Sequence, residues 1–193
     1  VSFAGVLSGG SITGGDDNDT LNFSAGVNNG AIVSGDAGSD LLLFTSTISA
    51  AEVFGGTGGD SMVFKGAISN STIDFGADSD TLTFSVAATS ATILGGAGAD
   101  TLIFSSGANL VNTSVSGGAD GDSLYFSAGT QTSASIAGGG GNDTMVFNDT
   151  IGSSMWVSLD TGADSVSFVT KVSGATMYGG NGIQTVAFSS ASD

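Results

Sequence analysis

The chain has no cysteine, no histidine and no proline, and its only basic residues are Lys65 and Lys171 in 193 positions. Without cysteine there are no disulfides, no thiolate nucleophile and no Cys-based zinc site. Without histidine the usual general base and the commonest transition-metal ligand are both missing. Two lysines cannot neutralise a phosphate backbone, which excludes nucleic acid as a partner. No run of about 18 apolar residues occurs, so no membrane insertion is expected. The N-terminus lacks a basic stretch leading into an apolar one, so no signal peptide is visible; Val1 points to a processed chain or an excised fragment. What the chain has instead is 33 glycines and 18 acidic residues, for a formal net charge of −16. Its 40% hydrophobic content argues against a disordered acidic tail, and its length allows one domain.

That content is strictly periodic. Phenylalanine recurs at Phe3, Phe23, Phe44, Phe64, Phe84, Phe104, Phe126, Phe147, Phe168 and Phe188, at intervals of 20 to 22 residues. Four residues before each Phe from the second onward stands Asp19, Asp40, Asp60, Asp80, Asp100, Asp122, Asp143 and Asp164, then Gln184. Two residues before the Phe is Leu, Met or Val. A further register holds Ile12, Val33, Val53, Ile73, Ile93, Val115, Ile136, Val157 and Met177. Alternation in D-T-L-x-F places Leu and Phe on one face and Thr on the other, so each copy holds at least two short strands. A leucine-rich repeat of similar length would need an Asn/Cys ladder that is absent. The pattern predicts an all-β chain: a single parallel β-solenoid domain, β-roll-like, of about nine to ten coils over residues 1–193, on the order of 45 Å long. A looser fourth ladder is expected four residues after each Phe, at Leu7, Val27, Ile48, Ile68, Ala88, Ala108, Thr130, Ile151 and Val172. The longer copies should absorb their extra residues at 105–112 and 127–133, in the far turn of the coil.

Between the Ile/Val register and the Asp lies a hexapeptide: GGDDND, GDAGSD, GGTGGD, FGADSD, GGAGAD, GGADGD, GGGGND, LDTGAD and GGNGIQ. These turns hold 14 of the 18 acidic residues. One turn per coil stacks the carboxylates about 5 Å apart along one edge. Unit charges that close repel by about 1 kcal/mol in water and several-fold more at lower dielectric, so cations between them are expected. With oxygen the only ligand type, calcium is the natural cation. Candidate ligands are Asp17, Asp19, Asp36, Asp40, Asp60, Asp78, Asp80, Asp100, Asp120, Asp122, Asp143, Asp160 and Asp164, completed by loop carbonyls. Where the fourth position is not Gly it is Asp, which tolerates the left-handed region. The competing reading is a plain set of tight Gly/Asp turns.

These hexapeptides resemble the hemolysin-type calcium-binding, or RTX, repeat, G-G-x-G-x-D followed by x and an aliphatic residue. The nearest matches run from Gly55 to Met62, from Gly95 to Leu102 and from Gly138 to Met145. The resemblance covers nearly the whole chain and implies a secreted bacterial protein, extracellular or on the cell surface. It implies calcium between successive loops, held by carbonyls and the sixth-position Asp. That family usually has two such turns per coil, whereas here only one calcium row is expected. Phe75 and Leu159 replace the first glycine, Asp36 and Asp160 the second, so those sites should be differently built. Gln184 should leave the last site without a full ligand set.

Outside the turns, an outward row of Ser/Thr broken by one Leu (Thr20, Leu41, Ser61, Thr81, Thr101, Ser123, Thr144, Ser165, Thr185) runs beside an irregular one of Asn22, Leu43, Val63, Thr83, Ile103, Tyr125, Val146, Ser167 and Ala187. That irregularity speaks against an ice-binding face. With Phe54, Leu94, Trp156 and Tyr178, it is expected to put large apolar groups on a solenoid face suited to lateral association. Both ends are expected to be open, inviting end-to-end contact with copies of the chain or continuation into a longer protein. Lys65 and Lys171 are isolated from each other, and Glu52, Asp74 and Asp149 have no basic partner nearby in the repeat, so no enzyme is expected. The composition resembles bacterial surface-layer proteins. A calcium-binding structural protein building a surface layer or extracellular filament is therefore the leading expectation. The alternative is a calcium-folded segment of a larger secreted toxin, enzyme or adhesin; a cell-surface glycan is a further candidate partner.

Overall fold

The computed structural model describes residues 1–127, 129, 131–149, 151–152 and 154–189. Alternation dictates the wall that carries the phenylalanines. Ten strands, from Ser2–Phe3 and Thr20–Phe23 through Thr101–Phe104 to Thr185–Phe188, stack in parallel. Each pairs in register with its copies one coil away: Phe64 lies between Phe44 and Phe84, and Met62 between Leu42 and Leu82. The glycine-bearing segments form a second parallel sheet of nine strands, from Ser11–Gly15 to Thr176–Tyr178. A third, narrow sheet of seven two-residue strands, from Leu7–Ser8 to Gln131–Thr132, closes the first seven coils, and isolated bridges at Ile151 and Val172 continue it. One coil therefore reads Phe strand, narrow strand, glycine strand, acidic turn. This is the expected all-β parallel solenoid, with a third strand per coil that is too short for alternation to reveal. The corner after the narrow strand is left-handed: Gly9 and Gly10 in the first coil, Asn29 with Gly30 in the second, then Ala50, Asn70, Ser90, Asn112, Ser133 and Ser154.

Like side chains stack on like throughout the core. From Phe23 to Phe168 the ladder phenylalanines are at most 2% exposed, and the Leu/Met/Val and Ile/Val ladders are buried beside them. Neighbouring rings lie nearly parallel, with centroids 4.8 Å apart at Phe3–Phe23 and 4.7 Å at Phe104–Phe126. Offset stacking of this kind adds about 0.5–1.5 kcal/mol per pair beyond area burial. Two contacts break the pattern: Phe64–Phe84 is tilted by 46° and Phe84–Phe104 by 52°. Both involve the ring that follows Phe75 in the same coil. Phe75 points inward and is fully buried, so that coil carries an extra ring in the core. Leu159 is buried in the same way.

Two expectations are corrected. The fourth ladder does not pass through Ala108: Ala88 pairs with Leu110, Leu110 with Gln131, and Gln131 bridges to Ile151. The extra residues of that copy fall before the narrow strand, in a turn where the Ala108 N–H donates to Ser105 O at 3.0 Å, so counting forward from Phe104 lands short. Thr130 lies outside the described residues. Buried Gln131 holds the altered corner, its Nε2 donating to Gly129 O at 3.2 Å and its Oε1 accepting from Leu110 N at 3.3 Å. The outward apolar residues also do not share one face. Leu43, Val63, Ile103, Tyr125 and Val146 belong to the Phe sheet, whereas Phe54, Leu94, Trp156 and Tyr178 belong to the glycine sheet. There Trp156 stacks on Tyr178 with centroids 6.4 Å apart. Parity reports inside or outside, but not which wall a residue is outside of.

Candidate metal centre

The acidic turn is a backbone device before it is a charged one. Its second and fourth positions have positive φ in all nine copies, as at Gly96 (108°) and Gly98 (113°). Where these positions are aspartate the conformation is kept: Asp17, Asp78 and Asp120 at the fourth position have φ of 74°, 76° and 72°, and Asp36 and Asp160 at the second have 75° and 56°. Two left-handed residues in a row of four turn the chain sharply and bring the sixth-position Asp back over the first glycine.

The thirteen candidate carboxylates then separate into two groups. Asp40, Asp60, Asp80, Asp100, Asp122, Asp143 and Asp164 are at most 3% exposed, and Asp19 begins the same column half-buried. Each hands one oxygen to the coil before it. The Asp40 N–H donates to Asp60 Oδ1 at 2.8 Å, Asp60 to Asp80 at 2.6 Å, Asp80 to Asp100 at 2.8 Å and Asp100 to Asp122 at 2.8 Å. Asp19 to Asp40, Asp122 to Asp143 and Asp143 to Asp164 continue the chain. The other group sits on the outer rim: Asp17, Asp36, Asp78 and Asp120 are exposed and Asp160 is half-buried. Asp78 Oδ2 accepts from Gly58 N at 3.0 Å, Asp36 Oδ1 accepts from the Ser34 hydroxyl at 2.5 Å, and Asp160 accepts from the Ser158 hydroxyl.

The second oxygen of each buried aspartate is the decisive feature. Oδ2 of Asp40, Asp60, Asp80, Asp100, Asp122, Asp143 and Asp164 is buried with no hydrogen-bond partner. A buried polar atom without a partner costs roughly 1–3 kcal/mol, more when charged, and seven in a file are far outside the ordinary tally of such atoms. Their surroundings repeat as well. A Cβ built on Gly95 would meet Asp100 Oδ2 at 2.6 Å together with the carbonyl oxygen of Gly117 in the next coil. At Gly55 the same point meets Asp60 Oδ2 at 2.5 Å and the Phe75 carbonyl; at Gly35, Asp40 Oδ2 and the Gly55 carbonyl at 2.6 Å. Gly14 and Gly117 repeat the arrangement. Oxygen acceptors thus converge on a small cradle with no donor between them, which is the donor set a hard cation requires. No three carboxylates gather at one point among the described residues, so an ion there would need backbone carbonyls to complete its shell. In two coils the first position carries a side chain, Phe75 or Leu159, and a Cβ stands at the point that, in the glycine copies, the oxygens crowd.

The last copy shows the cation-free alternative. Gln184 Oε1 accepts from Asp164 N at 3.2 Å, continuing the chain, and its Nε2 donates to the Gly162 carbonyl at 3.2 Å. The amide thus satisfies both of its polar atoms against the preceding coil, with no unmet acceptor of the kind the carboxylates leave.

Burial is also the largest influence on the charges. It pushes Asp60, Asp100 and Asp143 up to about 6, and Asp80 and Asp122 up to about 7, against the lowering effect of the N–H each accepts from the coil before. Neighbouring carboxylates raise them further, and the rim takes part: Asp78 acts on Asp60 and Asp80, Asp120 on Asp100 and Asp122, and Asp160 on Asp143. The carbonyl partner and the amide substitute at Gln184 were not legible in sequence. The recurrence of Gly five residues before Asp was the available signal for the first.

No family model matches the chain, and no curated protein matches it. Among solved structures it is similar to a hyperactive, Ca2+-dependent, β-helical antifreeze protein from an Antarctic bacterium. The TM-score is 0.64 and the identity 20%, over 96% of this chain and 70% of that one. The likeness is one of fold, a parallel β-solenoid; the RTX resemblance rests on the hexapeptides themselves.

Proposed function

We propose that this chain is a secreted calcium-binding structural solenoid whose coils are locked together by calcium along the buried aspartate column. The observation that carries the reading is the file of seven buried, partnerless Oδ2 atoms. The calcium dependence of the β-helical neighbour supports it. Bound calcium would neutralise the column and bridge one coil to the next. Oδ2 of the sixth-position Asp and the first-position carbonyl of the following coil would hold it, best where the first residue is Gly14, Gly35, Gly55, Gly95, Gly117 or Gly138. The rim carboxylates would draw cations to the edge. Phe75 and Leu159 would weaken their cradles, and Gln184 would need no ion.

Calcium outside cells would thus couple folding to export, and a stiff rod that gains rigidity on arrival suits a surface layer or extracellular filament. With Lys65 and Lys171 as its basic residues and neither Cys nor His, a catalytic role is not part of this reading. The antifreeze role of the neighbour is not carried over either. The outward rows mix Leu41, Asn22, Tyr125 and Ser167 with the threonines and offer no repeated flat lattice. The test is a metal count and calcium titration on the purified chain, followed by negative-stain imaging. About six ions per chain, lost on chelation together with β-sheet circular dichroism, and ordered sheets or fibres in calcium are expected. A chain whose fold and assembly state ignore chelation refutes the proposal.

A further inference from the structure

Among the described residues, the 17 acidic side chains all lie off one surface. The outer face of the Phe sheet consists of three rows: Thr20 to Thr185, Asn22 to Ala187, and the residues that follow each Phe, from Ser24 to Ser189. In a chain of net charge −16, none of these positions is Asp or Glu, and Lys65 is the one charge among them. The central row is apolar over most of its length, with Leu43, Val63, Ile103, Tyr125 and Val146 interrupted by Thr83. Leu41 and Tyr125 stand out at 38% and 37% exposed. The glycine sheet carries Glu52 and Asp74 on its outside, and the turn edge carries Asp17, Asp36, Asp78 and Asp120. Two copies meeting through either would bring like charges within a Debye length, about 8 Å in physiological salt.

We infer that the outer face of the Phe sheet is a homotypic docking face, and that its occupant is the same face of a second copy. The inference rests on the assembly reading above and names the surface through which it occurs. Area agrees: four residues by ten strands, at about 3.3 Å and 4.8 Å spacing, is about 600 Å² per copy. The total of about 1,200 Å² sits at the lower limit of specific interfaces. Unequal side chains such as Ile103, Thr83 and Tyr125 form ridges and hollows that a rigid sheet of the same kind can interdigitate with, as stacked sheets do. The glycine sheet also bears aromatics, Trp156 and Tyr178, but clustered towards one end and beside carboxylates on the same wall.

Symmetry makes the inference testable. A two-fold axis between facing sheets lies in the interface plane, so the middle of the face meets its own copy whether the rods run parallel or antiparallel. Ile103 lies in the sixth of ten strands. The chain has no cysteine, so single cysteines can be placed without background. The calcium-loaded full chain carrying Ile103→Cys should form disulfide dimers under mild oxidation at least tenfold more than Glu52→Cys. Leu43→Cys alone should cross-link if rods are parallel, and Leu43→Cys mixed with Ser167→Cys, in the ninth strand, if antiparallel about the sixth; either result supports the face. Ile103→Asp, with circular dichroism unchanged, should sediment as a smaller species. Cross-linking at Ile103 no greater than at Glu52, in a wild type that still forms sheets or fibres, overturns the face and leaves the assembly reading standing. A wild type that stays monomeric overturns both. Retention on a neutral glycan that Ile103→Asp abolishes, without self-association, assigns the face to a glycan and also overturns the inference.

Discussion

Stripping the metal should make this protein more stable in mild acid than in mild base, the reverse of what ionised, well-partnered carboxylates produce. In the folded chain burial raises Asp60, Asp100 and Asp143 to about 6 and Asp80 and Asp122 to about 7, from 3.8. The folded state therefore holds protons that the unfolded state releases, and stability falls as pH rises between about 4 and 7. At about 1.4 kcal/mol per unit, a rise of two to three units is worth about 3–4 kcal/mol for each carboxylate once it is forced to ionise. Five such carboxylates on one column are together enough to offset the whole stability of a domain. Coupling along the column changes how this is shared but not its sign. The assay is far-UV circular dichroism melting of protein passed over a chelating resin, at about pH 5 and about pH 8, each with and without added calcium. Without metal the chain should be folded at the lower pH and unfolded, or lowered in Tm by tens of degrees, at the higher one. Calcium should restore the fold at the higher pH and help less at the lower, where protons compete for the same oxygens. Equal metal-free melting at the two pH values, or greater stability at the higher, would refute the reasoning.

Two substitutions probe the column more locally. Asp100→Asn keeps an acceptor for Asp80 N and puts an uncharged N–H donor where Oδ2 stands beside the Gly117 carbonyl; it should lose calcium from the titration yet raise metal-free stability near pH 8. Asp100→Ala removes the acceptor as well and should cost about 1–3 kcal/mol even with calcium, measured by denaturant melts. Gly95→Ala sets a methyl between Asp100 Oδ2 and the Gly117 carbonyl, and should lose about 1–3 kcal/mol and one ion by calorimetry; an unaltered ion count would place calcium elsewhere.

The architecture could be read from the sequence because it is written nine times. A Phe every 20 to 22 residues and the alternation through D-T-L-x-F specify parallel in-register stacking, since only that arrangement places each ladder on itself. The alignment of Asp40 to Asp164 and the left-handed fourth position at Asp17, Asp78 and Asp120 follow from the same period and from backbone sterics. Tertiary structure decided what a period cannot express. It turned the sixth-position Asp inward and left the fourth-position Asp on the rim, because two left-handed residues fold the turn back over its first glycine. It carried the narrow ladder through Leu110 rather than Ala108, because an insertion can be taken up on either side of a two-residue strand. It set Phe75 and Leu159 in the core, and it separated the apolar rows of Val63 and Phe54 onto two walls. Spacing along a chain defines which residues are equivalent; which oxygen faces which carbonyl is settled only when one coil closes on the next.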